Sequence, residues 1–136
     1  MKTSGGSVAL DTTAYAQFRR GHALAGSRIA TAAEVVIPVI VVGELLAGFA
    51  VGSRRRENEV VLDAFLSEEF VRLVPATREV ADVYGELFAK LRTKGRPIPT
   101  NDLWIAATAI TEGAVLLTFD SDFDRIDGLR VERLRP

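Results

Sequence analysis

Four acidic residues, Asp11, Glu44, Asp102 and Asp120, stand where the punctuation of the chain can bring them together. Asp11 directly follows the apolar run Val8-Ala9-Leu10, and Asp120 follows Val115 to Thr118 by two residues. Both runs read as short strands buried on two faces. Asp102 comes just after the turn residues Pro97, Pro99 and Thr100, at the expected start of a helix, and Glu44 falls in the first turns of the helix that follows Val35-Val36-Ile37. In an open parallel sheet, ligands bind beyond the carboxyl ends of the strands, and a helix that follows a strand starts above that edge. The four carboxylates are therefore expected to converge. Like charges packed together raise one another's pKa and destabilise the fold unless a cation compensates. Oxygen ligands without His or Cys indicate a hard ion, Mg²⁺ or Mn²⁺, which keeps several waters and suits a phosphate substrate.

Each acid also has an ordinary structural use. Asp11, before Thr12 and Thr13, can N-cap the first helix; Asp102 can complement a helix dipole; Asp120, Asp122 and Asp124 alternate in a turn that solvent would accommodate. Glu44 is harder to explain this way, because it lies between Val39-Ile40-Val41-Val42 and Leu45-Leu46, where an unpaired carboxylate is expensive. Thr12, Thr13, Asn101 and Thr118 flank the acids and are suited either to hydrogen-bond a phosphate or to fix a carboxylate. The basic clusters Arg54-Arg55-Arg56, Arg19-Arg20, and Arg92 with Lys94 and Arg96 carry guanidinium forks that match phosphate oxygens, although such runs are commonly solvated faces. Three arginines at a helix start oppose its dipole, which favours an anionic partner there. His22, the single histidine, and Trp104, on an apolar helix, are not expected at the site.

The elements that must position these groups follow from hydrophobic periodicity. Val8 to Leu10, Val35 to Ile37, Phe70 to Val74, Val115 to Leu117 and Leu129 to Leu134 read as five strands, with Phe70 to Val74 and Leu129 to Leu134 partly alternating and so nearer an edge. Helical spacing is clearest at Val80, Val83, Tyr84, Leu87, Phe88 and Leu91, between Thr77 as N-cap and Gly95 as stop. Asn58 to Leu66, Gly43 to Val51 and Leu103 to Ile110 read as further helices, and Arg92 to Pro99 as a loop. Strands alternating with helices imply an α/β fold, a mostly parallel five-stranded sheet with helices on both faces. The apolar faces near Leu45, Leu46 and Phe49 and near Val61, Leu62 and Phe65 offer a partner surface.

The 136 residues fit one domain spanning 1–136. A net charge of −1 excludes a strongly basic coat. The absence of cysteine excludes disulfides, thiolate metal sites and a cysteine nucleophile and fits the cytoplasm. Ser4, Gly5, Gly6 and Ser7 leave no room for the apolar core of a signal peptide before Asp11. Val35 to Gly43 is far shorter than the roughly 20 residues a membrane span needs.

The segments Val8-Ala9-Leu10-Asp11-Thr12, Val35-Val36-Ile37-Pro38 running to Glu44-Leu45, Ile98-Pro99-Thr100-Asn101-Asp102-Leu103-Trp104-Ile105-Ala106-Ala107, and Leu116-Leu117-Thr118-Phe119-Asp120-Ser121-Asp122-Phe123 together resemble the PIN-domain nucleases, and within them the VapC-type toxins of toxin–antitoxin pairs. The resemblance implies a five-stranded parallel sheet between helices. It assigns Asp11, Glu44, Asp102 and Asp120 to the family's metal-binding acids and Asp122 to an acid often found beside them, leaving open which of Asp120 and Asp122 is the direct ligand. It implies Mg²⁺-dependent endonucleolytic cleavage of RNA to a 3′-hydroxyl and a 5′-phosphate, a VapB-type antitoxin partner, and a homodimer. A haloacid-dehalogenase-like phosphatase would need a second aspartate at position 13, which is Thr13, and a late lysine, whereas none follows Lys94. A receiver domain fails on the same missing lysine. A non-catalytic protein-binding module of the same fold is the remaining alternative, and the presence of all four acids disfavours it.

Overall fold

Short runs of β-branched and aliphatic residues form the strands, and the helices between them begin and end on identifiable signals. The computed structural model describes residues 6–136; Ser4 and Gly5, part of the expectation about the amino terminus, lie outside them. In chain order the elements are β1 (Ser7–Leu10), α1 (Thr12–Arg19), α2 (Ala23–Thr31), β2 (Glu34–Pro38), α3 (Val39–Val51), α4 (Arg55–Leu66), β3 (Val71–Val74), α5 (Arg78–Lys94), α6 (Thr100–Thr111), β4 (Val115–Thr118), a 3-10 turn (Ser121–Arg125) and β5 (Val131–Arg133). The sheet order is β3-β2-β1-β4-β5 and every pairing is parallel. The two partly alternating strands are thus the two edges.

This topology decides where a ligand can sit. Connections from β1 and β2 step towards β3, whereas the connection leaving β3 crosses back to β4. Right-handed crossovers then put α1 to α4 on one face and α5 with α6 on the other. The direction of travel reverses between β1 and β4, and the crevice at the carboxyl ends of such a pair is the binding position of open α/β sheets. Val35, Val36, Leu116, Leu117 and Leu10 fill the centre of the sheet and are fully buried against Val41, Leu62, Val80 and Ile105 from the helices.

Local chemistry explains most boundaries. The Thr77 hydroxyl accepts from the Val80 amide at 3.3 Å, and Gly95 closes α5 at φ 68°, a left-handed conformation that costs a residue with a Cβ. The helix therefore runs through Arg92 and Lys94, and the loop expected over 92–99 shrinks to five residues, 95–99. The α3 helix starts at Val39, four residues before the expected Gly43. Its β-branched start reads as strand by propensity, but Pro38, the last strand residue, lacks an amide hydrogen to extend the ladder. The α4 helix likewise starts at Arg55 rather than Asn58. The α2 helix has no counterpart in the expected elements, because its buried face reduces to Ala25 and Ile29, too little for a periodic signal. His22 caps it, Nδ1 accepting from the Ala25 amide while Nε2–H donates to the Arg135 carbonyl.

Of the apolar faces read as a partner surface, Leu45, Leu62 and Phe65 lie in the core. Leu46 is the member left exposed, and Phe49 and Val61 are half-buried. No helix among the described residues is long and apolar enough to cross a membrane.

Candidate metal centre

The register of the two central strands places the first acid. Leu10 pairs with Leu117, so Asp11 emerges level with Thr118 at the carboxyl end of the sheet. Asp11 is 3% exposed, and its burial is offset by hydrogen bonds. Oδ1 accepts from the Ala14 amide at 2.8 Å, which caps α1, and from the Thr13 hydroxyl at 2.8 Å. Oδ2 accepts from the Thr118 hydroxyl. Burial nevertheless pushes the Asp11 carboxyl above its usual range; the Thr118, Ala14 and Thr13 bonds pull it back, and the neighbouring Asp120 charge raises it again.

Thr118 joins this strand end to the acidic turn. It is fully buried, and while donating to Asp11 its hydroxyl oxygen accepts from the Asp120 amide at 3.0 Å. Thr13 performs a parallel task, accepting from the Phe119 amide at 3.0 Å. Asp120 in turn caps the 3-10 turn, its Oδ1 accepting from the Asp122 amide at 2.9 Å. Thr118→Val removes the shared hydroxyl at nearly constant volume and is expected to cost about 2 kcal/mol, the usual penalty for stripping a partner from a buried carboxylate. Urea unfolding checks this, and an unchanged midpoint contradicts it.

Helix starts supply the other two acids. The α6 helix of 12 residues is about 18 Å long and ends just before β4 begins, so its first turn, which carries Asp102, lies back at the carboxyl edge. Glu44, in the second turn of α3, is held from two sides: the Thr12 hydroxyl donates to Oε1 and the Asn101 amide donates to Oε2 at 3.3 Å. Thr12, Asn101 and Thr118 are therefore on carboxylates in this structure, the second of the two roles read from the sequence. Asp102 is pushed up to about 6, first by burial and then by the charges of Asp120, Glu44, Asp11 and Asp122. The charges of the other four acids thus all bear on Asp102.

The arrangement fits a hard divalent cation. Asp102, Asp120 and Asp122 each offer a carboxylate oxygen, and these atoms lie within 4.8 Å of one another. Among the described residues, the only ion pair made by the five acids is Arg125 to Asp122 at 2.9 Å, so negative charge is far from balanced. Arg125 is a neighbour not among the residues expected at the site; its spacing of three from Asp122 across a turn is the sequence signal for the contact. Arg54, Arg55 and Arg56 are not brought to this centre: they are exposed at the start of α4, Arg55 pairs with Glu59, and no hydrogen bond or ion pair ties them to the acids.

The raised acids carry a pH dependence whose sign is opposite to that of an ordinary ion-paired carboxylate. Between the usual aspartate value, near 4, and about 6, the native Asp102 holds a proton that the unfolded chain has lost. Its contribution to the stability of the chelated protein is therefore complete below about pH 4 and is lost as pH rises through about 6. Glu34 and Asp127, held low mainly by bonds to Arg72 and Lys94, act the other way, so the difference from Asp102→Asn is the diagnostic. Wild type is expected to lose melting temperature relative to that variant between about pH 4 and pH 7; parallel curves would refute the shift.

Residues 8–129 match the family model described as PIN domain. The chain is 36% identical over 99 residues to Ribonuclease VapC2 of Rickettsia felis, covering 72% of each protein, and 30% identical over 132 residues to Ribonuclease VapC5 of Mycobacterium tuberculosis, covering 94% of this chain and 93% of that one. The chain belongs to the VapC ribonucleases of the PIN-domain family. The crystal structure of VapBC2 from Rickettsia felis, bound to a DNA fragment from their promoter, contains a chain that superposes with a TM-score of 0.83 at 28% identity, over 94% of this chain and 98% of that one. PIN ribonucleases depend on a divalent metal, and in this VapC-type chain the carboxylates at the β1/β4 crevice are the group with the chemistry to hold one.

Proposed function

We propose that this chain is the toxin of a toxin–antitoxin pair and cuts RNA phosphodiester bonds with Mg²⁺ held by Asp102, Asp120 and Asp122, Asp11 and Glu44 completing the negative pocket. The single observation that carries the reading is the convergence of five carboxylates, one of them pushed up to about 6, at the switch point of a parallel sheet. Mg²⁺, with Mn²⁺ as a substitute, matches an all-oxygen donor set. When bound, such an ion offsets charge on the phosphate and leaving oxygen and makes water more acidic.

The protein's own groups prepare the site before substrate arrives. Thr13 and Thr118 hold Asp11, and Thr12 and Asn101 hold Glu44, so neither carboxylate must reorganise during reaction, which is how a preorganised site lowers its barrier. The α6 helix begins at Thr100, and Pro99 before it supplies no side-chain cap, which leaves the amides ahead of Leu103 available to a phosphate oxygen. Cleavage to a 3′-hydroxyl and a 5′-phosphate follows for an attacking water. Arg54, Arg55 and Arg56 serve as outlying phosphate contacts, and replacing all three with alanine should weaken RNA binding and its salt dependence.

The related VapBC chains were crystallised as complexes, which supports a VapB-type antitoxin as partner. We further assign a homodimer, testable by size-exclusion chromatography, action in the cytoplasm, and a single catalytic unit over residues 1–136. The decisive experiment incubates purified protein with total RNA in Mg²⁺ and maps the ends. Cleavage that EDTA abolishes and Mg²⁺ restores is expected; cleavage indifferent to EDTA, or none at all with Mg²⁺, rejects the reading.

A further inference from the structure

An apolar cavity of about 290 Å³ opens between the end of α5, the loop 95–99 and the start of α6. Its walls include Phe88, Leu91, Ile98 and Leu103, and Arg92 and Arg96 line it as well. Leu103 is the residue after Asp102, and Ile98 closes the loop that leads into the same helix turn. The cavity and the acid cluster therefore share the first turn of α6, which gives Leu103 to the one and Asp102 to the other.

Two independent features describe what would enter. The first is charge. Arg92 and Arg96 are exposed, and neither has an acidic partner among the described residues, whereas the intervening Lys94 is paired with Asp127 at 2.7 Å. Two free guanidiniums beside an apolar hollow, next to a strongly negative centre, fit a ligand that is anionic along its length and apolar at intervals. The second is a column of rings. Trp104 and Tyr84 stack at 4.1 Å and 17°, and Tyr84 continues to Phe88 at 6.3 Å and 28°. Phe88 ends the column, 43% exposed, and lines the cavity. The open ring of Phe88 faces the hollow at the end of the stack, and a flat heterocycle extends such a stack without loss of geometry.

We propose that this cavity is a nucleobase subsite: it takes one unpaired base of the substrate RNA next to the scissile phosphate, Phe88 stacking on the base while Arg92 and Arg96 hold the adjoining phosphates. The assignment rests on the ribonuclease reading and supplies what the acids lack, since carboxylates and a cation act on phosphate and are blind to base identity. Stacking on an aromatic side chain is tolerant of sequence, so discrimination comes from the size of the hollow and the aliphatic walls opposite the ring.

The test uses the full chain with Ca²⁺ in place of Mg²⁺ and measures fluorescence anisotropy with two labelled oligomers of equal length, one of uridine nucleotides and one abasic. Wild type is expected to bind the uridine oligomer about tenfold more tightly. Phe88→Ala should abolish that preference, and Phe88→Tyr should restore it. Arg92→Ala and Arg96→Ala should weaken both oligomers alike and each lower the salt slope by about one. A wild type without preference for the base-bearing oligomer, or a preference that survives Phe88→Ala, overturns the proposal. So does a Phe88→Ala variant whose only change is in oligomeric state on gel filtration, which would identify a second copy of the chain as the occupant. Base preference without cleavage in Mg²⁺ would reject the catalytic reading while leaving the subsite standing, and cleavage whose base preference ignores Phe88 would do the reverse.

Discussion

Asp102→Asn is expected to slow RNA cleavage by about 10³-fold, equivalent to roughly 4 kcal/mol of lost transition-state stabilisation, while making the metal-free protein harder to melt at neutral pH. The two effects have one cause. At neutral pH, Asp102 is a half-buried carboxylate facing four others, and its raised pKa measures how unwelcome that charge is in the empty site. Asparagine keeps the size and removes the charge, relieving the fold and depriving the site of a ligand. Isothermal titration with Mn²⁺ should show weakened binding in the variant, and in wild type binding should tighten as pH rises through about 6, because protons and metal compete for the same oxygens. A variant that is both slower and less stable without metal would indicate general damage and contradict the argument.

Phe123→Ala should be severely disruptive although it alters none of the acids. Phe123 is 1% exposed and is the side chain by which the acidic turn enters the core, with Asp122 and Asp124 on either side of it. Truncating a buried phenylalanine costs about 3–5 kcal/mol, or about 10–20 °C in melting temperature for a chain of this size. The turn would also lose its anchor, so Mn²⁺ affinity should fall although no ligand has been altered. Phe123→Leu keeps most of the buried volume and should recover both properties in large part. Calorimetry with metal titration separates the outcomes: an alanine variant with wild-type affinity would show that the hydrogen bonds accepted by the Thr118 and Asp120 side chains hold the turn unaided.

Residue types and spacing were enough to read a great deal. Buried strands announce themselves as unbroken aliphatic runs, so Val8 to Leu10 and Val115 to Leu117 were legible, as was the helix from Thr77 to Gly95, whose cap, period and stop agree. The convergence of acids was legible because a strand end and a helix start share the carboxyl edge in any parallel sheet. Less came through where tertiary packing overrode local preference. Val39 to Val42 are β-branched yet helical, because Pro38 ends the strand and the core accepts Val41; α2 is too poor in apolar residues to show a period, and is held by its cap and by Ala25 and Ile29.

By itself the sequence determined the kinds of atoms available to the site: carboxylate oxygens, hydroxyls and guanidiniums, with no thiol and a single imidazole. Tertiary structure decided which of them meet. It put Thr13 and Thr118 on Asp11 and placed Arg125, alone among the cations of the described residues, on the cluster. It also set Arg92 and Arg96 around the same hollow as Phe88. The reason is range: periodicity and capping act over a few residues, while partners such as Asp11 and Thr118 are 107 positions apart and meet only because two strands adopt one particular parallel register.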